Sequence, residues 1–332
     1  MKDHADEAAT IHDIHAARAR LDPVVRQTPL LESPLLNEQA GRRLLIKAEC
    51  LQRTGSFKFR GAWSALSALG EQTRRRGVLA YSSGNHAQGV AHAAQLFGVP
   101  AVIVMPQDAP ALKVRNTRAY GAEVILYDRA GGESREEKGA AIAAERGLTV
   151  IRPYDEPMVI AGQGTTGLEI AEQAQAAGIR EAEVLVCCGG GGLASGIALA
   201  LESEAPGMVL RTAEPADFDD YARSLAAGHR VANQGHATSI CDAIVTPTPG
   251  ELTFPILNRL AGAGLAVDDD AALAAMAQAF LHLKLVAEPG GAIALAAALS
   301  RADEITGDTV ICVISGGNVD PGVFARALAK LS

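Results

Sequence analysis

Lys58 stands between two phenylalanines in Ser56-Phe57-Lys58-Phe59-Arg60-Gly61-Ala62, where an extended segment gives way to a helix. Leu44-Leu45-Ile46-Lys47-Ala48-Glu49 before it reads as a strand, and Trp63, Leu66 and Leu69 after it recur at helical spacing. An amine walled by Phe57 and Phe59 at such a boundary can lose hydration, and desolvation moves it toward its neutral, nucleophilic form. On its own the segment also fits a surface lysine whose stem lies along the rings.

Three other stretches have the composition of strand-end turns: Ser82-Ser83-Gly84-Asn85-His86, Gly189-Gly190-Gly191-Gly192-Leu193 and Ser315-Gly316-Gly317-Asn318. In open parallel sheets, ligands bind off the carboxyl ends of the strands. Four consecutive glycines let the backbone approach a ligand closely, at an entropic cost that a purely structural turn seldom carries. Their N–H groups, followed by a helix N-terminus, make an anion site suited to phosphate. Gly189-x-Gly191-x-x-Ala194 also fits the dinucleotide fingerprint, with Glu214 ending the next strand, so a nicotinamide-dependent oxidoreductase is a rival reading. That rival leaves Lys58, Asn85 and Ser315 without a role, and no Walker lysine follows the glycines. A phosphate cup, a desolvated lysine, an asparagine and a serine together point to an aldehyde cofactor carrying a phosphate. Pyridoxal 5'-phosphate is such a cofactor, with lysine forming its Schiff base and the ring acting as electron sink.

The elements that must position these turns alternate regularly. Strand-like runs at 78–81, 101–105, 124–127 and 149–151 are separated by helical patterns at 85–97, 111–120 and 134–147, where Ser134 and Glu137 form a candidate capping box. The alternation resumes with helices near 166–177, 193–201, 269–286 and 291–300, and strands at 184–188, 209–213 and 310–314. Short apolar strands between long helices predict an α/β protein with parallel-rich sheets. Residues 76–151 read as a smaller domain inserted into a larger one made of residues 1–75 and 152–332. Near the N-terminus, 10–21 reads as an amphipathic helix with Thr10 at its cap, and 27–30 as loop before a short helix.

With 48% hydrophobic residues but only 4% aromatic, the core must be packed by Ala, Leu, Val and Ile. A net charge of −8 without a run of like charges argues against nucleic-acid or anionic-membrane partners. Met1 to Glu7 lacks the basic and apolar regions of a secretory signal. Cys50, Cys187, Cys188, Cys241 and Cys312 show no C-x-x-C spacing, so buried free thiols and a cytoplasmic location are expected.

The lysine segment, Ser82-Ser83-Gly84-Asn85-His86-Ala87-Gln88, the glycine run, Glu288-Pro289-Gly290-Gly291 and Ser315-Gly316-Gly317-Asn318 occur in an order that resembles the fold-type II pyridoxal-phosphate enzymes (tryptophan synthase β-like). Within them the chain is similar to the serine/threonine dehydratase and serine racemase branch. The resemblance covers about residues 20 to 325. It implies that Lys58 holds the cofactor and removes the Cα proton, and that Phe57 packs beside the ring. Asn85 would then bond the phenolic oxygen and Glu288 would also bind the cofactor, while Gly189, Gly190, Gly191, Gly192 and Leu193 hold the phosphate. Ser315 would meet the pyridine nitrogen, making a milder sink that suits β-elimination over transamination. Ser82, Ser83, Gly84, Asn85 and His86 would receive the substrate α-carboxylate, and Ser83 would be the second acid/base of a racemase. Glu214-Pro215-Ala216-Asp217-Phe218-Asp219-Asp220 is similar to the branch's divalent-cation loop, implying Mg²⁺ or Ca²⁺ on Glu214, the Phe218 carbonyl and Asp220. Arg135 matches a position that faces the distal end of the substrate in relatives, where a second carboxylate, as in 3-hydroxyaspartate, would suit it. The expected activity is L-threonine or L-serine dehydration by a homodimer, with 3-hydroxyaspartate dehydration or serine racemisation as alternatives. The chain ends soon after the Ser315 turn, so no regulatory domain or isoleucine feedback is expected.

Overall fold

The computed structural model describes residues 8–331 except 110 and 234–237; the stretch Met1 to Glu7 read above lies outside the described residues. Helix α1 (Ile11–Leu21) is held at its start by a reciprocal cap. Thr10 Oγ1 accepts from the Asp13 N–H at 3.3 Å, and the Asp13 carboxylate accepts from the Thr10 N–H at 2.8 Å. Strand β1 (Leu30–Glu32), helix α2 (Pro34–Ala40) and strand β2 (Arg43–Ala48) follow, with β1 antiparallel to β2. The sequence reading, loop over 27–30 and then a short helix, misses β1, because three residues carry too little alternation to register as a strand.

Helices α3 (Lys58–Ala68) and α4 (Glu71–Arg76) lead into a four-stranded parallel sheet. Its chain order is β3 (Val78–Tyr81), α5 (Asn85–Phe97), β4 (Ala101–Pro106), α6 (Ala111–Ala119), β5 (Glu123–Tyr127), α7 (Arg135–Arg146) and β6 (Thr149–Val150). The strands lie in the spatial order β5-β4-β3-β6. Ser134 caps α7 by accepting from the Glu137 N–H at 3.2 Å. The return bond of a capping box, from the Ser134 N–H to the Glu137 carboxylate, is not made, and the Ser134 hydroxyl donates to Glu136 at 3.5 Å.

The chain then runs through α8 (Pro157–Ala176), β7 (Ala182–Cys187), α9 (Gly192–Glu204), β8 (Met208–Pro215) and α10 (Asp220–Ala227). It ends with α11 (Thr253–Leu260), β9 (Leu265–Val267), α12 (Asp269–Leu283), α13 (Pro289–Ser300), β10 (Thr309–Ile314) and α14 (Pro321–Leu328). These strands complete a six-stranded sheet in the order β1-β2-β10-β7-β8-β9, parallel throughout except at β1. The carboxyl ends of β7 and β10 therefore lie side by side, and their following turns face the same crevice.

Helix α3 joins the two sheets. Phe59, Trp63 and Leu66 share one apolar cluster with Val90 and Ala94 of α5 and with Val159 and Ile160 of α8. Trp63 stacks on Phe97 at 4.2 Å between centroids, and Phe59 is fully buried, a burial contributing on the order of 2–3 kcal/mol. Phe59 is thus a core ring that turns away from the lysine, not a wall beside it as the sequence suggests. No helix among the described residues is long and apolar enough to cross a membrane.

Candidate active site

The turn before Lys58 is set by an unusual backbone. Thr54 has φ 59° and Gly55 φ 74°, and a side chain on Gly55 would lie 2.6 Å from Asn318 Oδ1. The left-handed pair is stitched to the turn after β10: Asn318 Nδ2 donates to the Thr54 carbonyl at 2.7 Å, and the Gly317 N–H to the Gly55 carbonyl at 2.9 Å. The Phe57 N–H donates to the Ser315 carbonyl at 3.0 Å. Lys58, the first residue of α3, is thereby delivered into a cavity of about 220 Å³.

The Lys58 side chain is part-buried, its accessible surface facing that cavity. Nζ donates to the Pro153 carbonyl at 2.8 Å and sits 5.0 Å from the centroid of the Phe57 ring. Burial pulls the amine down to about 8, with Cys187 and Glu288 opposing weakly. No carboxylate pairs with it among the described residues.

Asn85, at the start of α5, is held at both ends. Its Oδ1 accepts from Asn318 Nδ2 at 2.8 Å, and its Nδ2 donates to Glu288 Oε1 at 2.6 Å. Burial pushes the Glu288 carboxyl up to about 7, with the Asn85 bond opposing. His86 Nε2 lies 2.9 Å from the Ile151 carbonyl. Burial and then Lys58 push its pKa down to about 3, so the ring is neutral and its Nε2–H donates. Ser82, Ser83 and Gly84 border the same cavity, and the Gly84 N–H donates to Ser82 Oγ at 3.2 Å.

Gly189 to Gly192 and Leu193 line the cavity at the end of β7 and the start of α9. Gly191 has φ 91°, and a side chain there would collide with the Tyr221 hydroxyl; one on Gly190 would collide with the Tyr154 ring. Ser315 is buried at the cavity edge, where its Oγ accepts from the Cys187 thiol at 3.1 Å. Burial holds that thiol up at about 11, so it is neutral. All the residues expected from the lysine, serine-glycine-asparagine, glycine and Ser315 motifs therefore reach one cavity.

Arg135 reaches it as well, half-exposed, with its guanidinium 5.7 Å from the Tyr81 ring centroid and its Nε donating to Glu136 at 2.7 Å. Glu214, Phe218 and Asp220 do not border the cavity. Glu214, one residue before the end of β8, accepts from the Tyr221 and Ala222 N–H groups at 2.8 and 2.7 Å. Its carboxyl is raised well above the ordinary range by burial and by Asp220. Asp220 is pushed up to about 6, chiefly by burial, and its Oδ2 has no hydrogen-bond partner.

Sequence reasoning passes over Tyr154, Cys187 and the Lys113–Asp242 ion pair (2.8 Å), all of which line the cavity. Cys187 carries a usable signal, since it directly precedes the Cys188-glycine run at a strand end. Tyr154 and Lys113 carry none.

The family model described as pyridoxal-phosphate dependent enzyme matches residues 21–316. The chain belongs to that family. It is 42% identical to an L-threo-3-hydroxyaspartate ammonia-lyase from Pseudomonas sp, over 97% of this chain and 99% of that one. Among solved structures it resembles a threonine deaminase from T.th. (TM-score 0.88, 45% identity, 94% of this chain and 99% of that one). It also resembles maize serine racemase (TM-score 0.89, 39% identity, 98% of each chain). The protein is therefore an α/β, pyridoxal-phosphate-dependent enzyme. Its donor set fits the cofactor: a lowered lysine amine, a glycine cradle that any side chain would fill, and a buried serine hydroxyl border one cavity.

Proposed function

We propose that the enzyme eliminates water from a small 3-hydroxy amino acid, L-threonine or L-serine, and that the enamine released is hydrolysed to a 2-oxo acid and ammonia. The observation that carries this reading is the Lys58 amine, drawn down to about 8 and paired with no carboxylate among the described residues, in one cavity with the glycine run. When bound, pyridoxal phosphate supplies an aldehyde that captures the substrate amine and a ring that accepts the electron pair left at Cα. Gly189 to Gly192 and Leu193 would hold its phosphate, Phe57 and Asn85 its ring and phenolic oxygen, and Ser315 its pyridine nitrogen. Glu288 would act through Asn85. Lys58 Nζ, drawn down to about 8 and so substantially neutral only from that pH upward, then takes the Cα proton. Ser82 to His86 receive the α-carboxylate, and neutral His86, tied to Ile151, adds no charge to it. We read residues 76–151 as the domain that brings this loop to a larger domain of residues 1–75 and 152–332.

A second reading has a specific observation behind it. Arg135 borders both this cavity and an adjoining one of about 290 Å³, so its guanidinium is available to a distal carboxylate. With relatives that act on L-threo-3-hydroxyaspartate, this favours 3-hydroxyaspartate as an alternative substrate. Ser83 borders the same cavity, and a proton from its hydroxyl to the opposite face of Cα would give serine racemisation.

Two buried carboxylates, Glu214 and Asp220, with one oxygen left without a partner, are what an Mg²⁺ or Ca²⁺ ion sharing the Phe218 carbonyl would relieve. Among the described residues no group of three or more His, Cys, Asp or Glu gathers as a metal cluster, so backbone carbonyls and water would complete the shell. All five cysteines are free and buried, which supports a reducing, cytoplasmic setting, and we take the working unit to be a homodimer.

Ammonia release from threonine, serine and 3-hydroxyaspartate tests the reading. Wild type is expected to act on at least one, and no release from any would refute dehydration. Arg135→Ala should cut kcat/KM for 3-hydroxyaspartate about tenfold or more while sparing serine.

A further inference from the structure

Tyr221 has no part in the mechanism above. It is completely buried, the second residue of α10, and does not border the cavity. Its backbone is held by Glu214, and its hydroxyl lies 2.6 Å from Thr253 Oγ1 and 3.3 Å from the Gly190 carbonyl oxygen. Thr253 Oγ1 donates to the same carbonyl at 2.7 Å and is itself buried. Two buried hydroxyls thus converge on one carbonyl of the glycine run.

Peptide planarity gives that convergence a consequence on the opposite side. No peptide bond among the described residues is cis, so the Gly190 C=O and the Gly191 N–H share one trans plane and point in opposite directions. Drawing the carbonyl back toward Tyr221 and Thr253 turns the Gly191 N–H toward the cavity that Gly191 borders. A peptide between two glycines has no side chains to stop it flipping, and Gly191 already sits at φ 91°. The N–H groups of Gly189, Gly190 and Gly191 find no acceptor among the described residues.

We propose that Tyr221 and Thr253 are positioning residues that keep a donor of the glycine run aimed at an anionic phosphate. The preference for a phosphorylated over a non-phosphorylated cofactor then depends on two hydroxyls that touch neither. The inference rests on the reading that Gly189 to Gly192 hold the cofactor phosphate.

The test is the ratio of dissociation constants for pyridoxal and pyridoxal 5'-phosphate, measured by absorbance on enzyme freed of cofactor and reconstituted. Tyr221→Phe and Thr253→Val should each lower the ratio about three- to tenfold, as loss of one hydrogen bond predicts, by weakening only the phosphorylated form. Thr253→Ser should restore it, and the ³¹P resonance of bound cofactor should move in Tyr221→Phe but not in Thr253→Ser. Equal weakening of both cofactors would reduce the two residues to packing and overturn the proposal, as would an unchanged ratio. Gly190→Ala separates the two readings, since its added methyl meets Tyr154 rather than Tyr221. If it leaves the ratio intact, the phosphate cup itself is wrong; if it collapses the ratio while Tyr221→Phe and Thr253→Val do not, only the positioning role fails.

Discussion

Lys47 and Lys58 lie in neighbouring segments of one chain, both are enclosed by protein, and they have opposite fates. Lys47, on β2, is wholly buried, and its ammonium donates to Glu169 Oε2 (2.6 Å), the Thr28 carbonyl (2.7 Å) and Gln173 Oε1 (3.0 Å). That satisfies all three of its donors. Arg60 closes the group, bonding both oxygens of Glu49 at 2.8 Å and Glu169 Oε1 at 2.7 Å, so two cations face two carboxylates. Lys58 has one carbonyl and a cavity. Burial lowers both amines, but Glu169 and Glu49 oppose it at Lys47, whereas at Lys58 the opposition comes from Cys187, a thiol that burial keeps protonated and so weak as a counter-charge, and from Glu288, which burial itself pushes up to about 7. Enclosure does not make a lysine reactive; enclosure without a counter-charge does.

The two lysines are also coupled. Arg60 follows Lys58 by two residues in α3, so the balanced cluster pins the first turn of the helix that carries the unbalanced amine. The sharpest way to break the comparison is Lys58→Ala. Removing a base and nucleophile of this kind should lower kcat by roughly 10⁴-fold or more, with thermal unfolding barely moved. Ammonia release in single turnovers checks it, and a variant that kept most of its rate would end Lys58's special status.

Glu169→Gln should do the reverse. It strips Lys47 and Arg60 of a shared carboxylate and should cost about 3–5 kcal/mol of stability, read from urea unfolding, while the rate per folded molecule falls far less than in Lys58→Ala. A stable but inactive variant would show that the cluster serves chemistry directly. The smallest effect is a matter of pH. In cofactor-free enzyme, acylation of Lys58 by an amine-selective reagent should rise with pH and reach half its maximum near 8, since only the neutral amine reacts. Lys47 should stay unlabelled over the same range, as mass spectrometry of the digest would show; equal labelling would erase the distinction.

Much of this site is legible in the chain itself. The motif around Lys58, the glycine run, and the turns at Asn85 and Ser315 are local patterns, and each ends up in the cavity. Helix α8 is less legible: its pattern is recognisable from about residue 166, yet it begins at Pro157. Gly162 and Gly164 interrupt the apolar period there, because side chains at those positions would lie 2.6 Å from Ser64 and 2.5 Å from Ile14 of the packed helices α3 and α1. Phe59 shows the opposite failure, since adjacency to Lys58 implies a shared face while helical rotation sends it into the core. Tyr154, Tyr221 and Thr253 back the glycines from positions 30 or more residues away, and nothing in their own neighbourhoods marks them.

The sequence by itself determined the α/β alternation, the glycine run that lines the cavity and the motif that carries Lys58, because strand period, helix period and glycine freedom belong to a few consecutive residues. Only the tertiary structure decided which enclosed lysine is left without a counter-charge among the described residues. The carboxylate that quiets Lys47 comes from 122 residues away, and the carbonyl that receives Lys58 from 95. Counter-charge is a property of what folding brings within a few ångströms, and folding brought Glu169 to one lysine and an open cavity to the other.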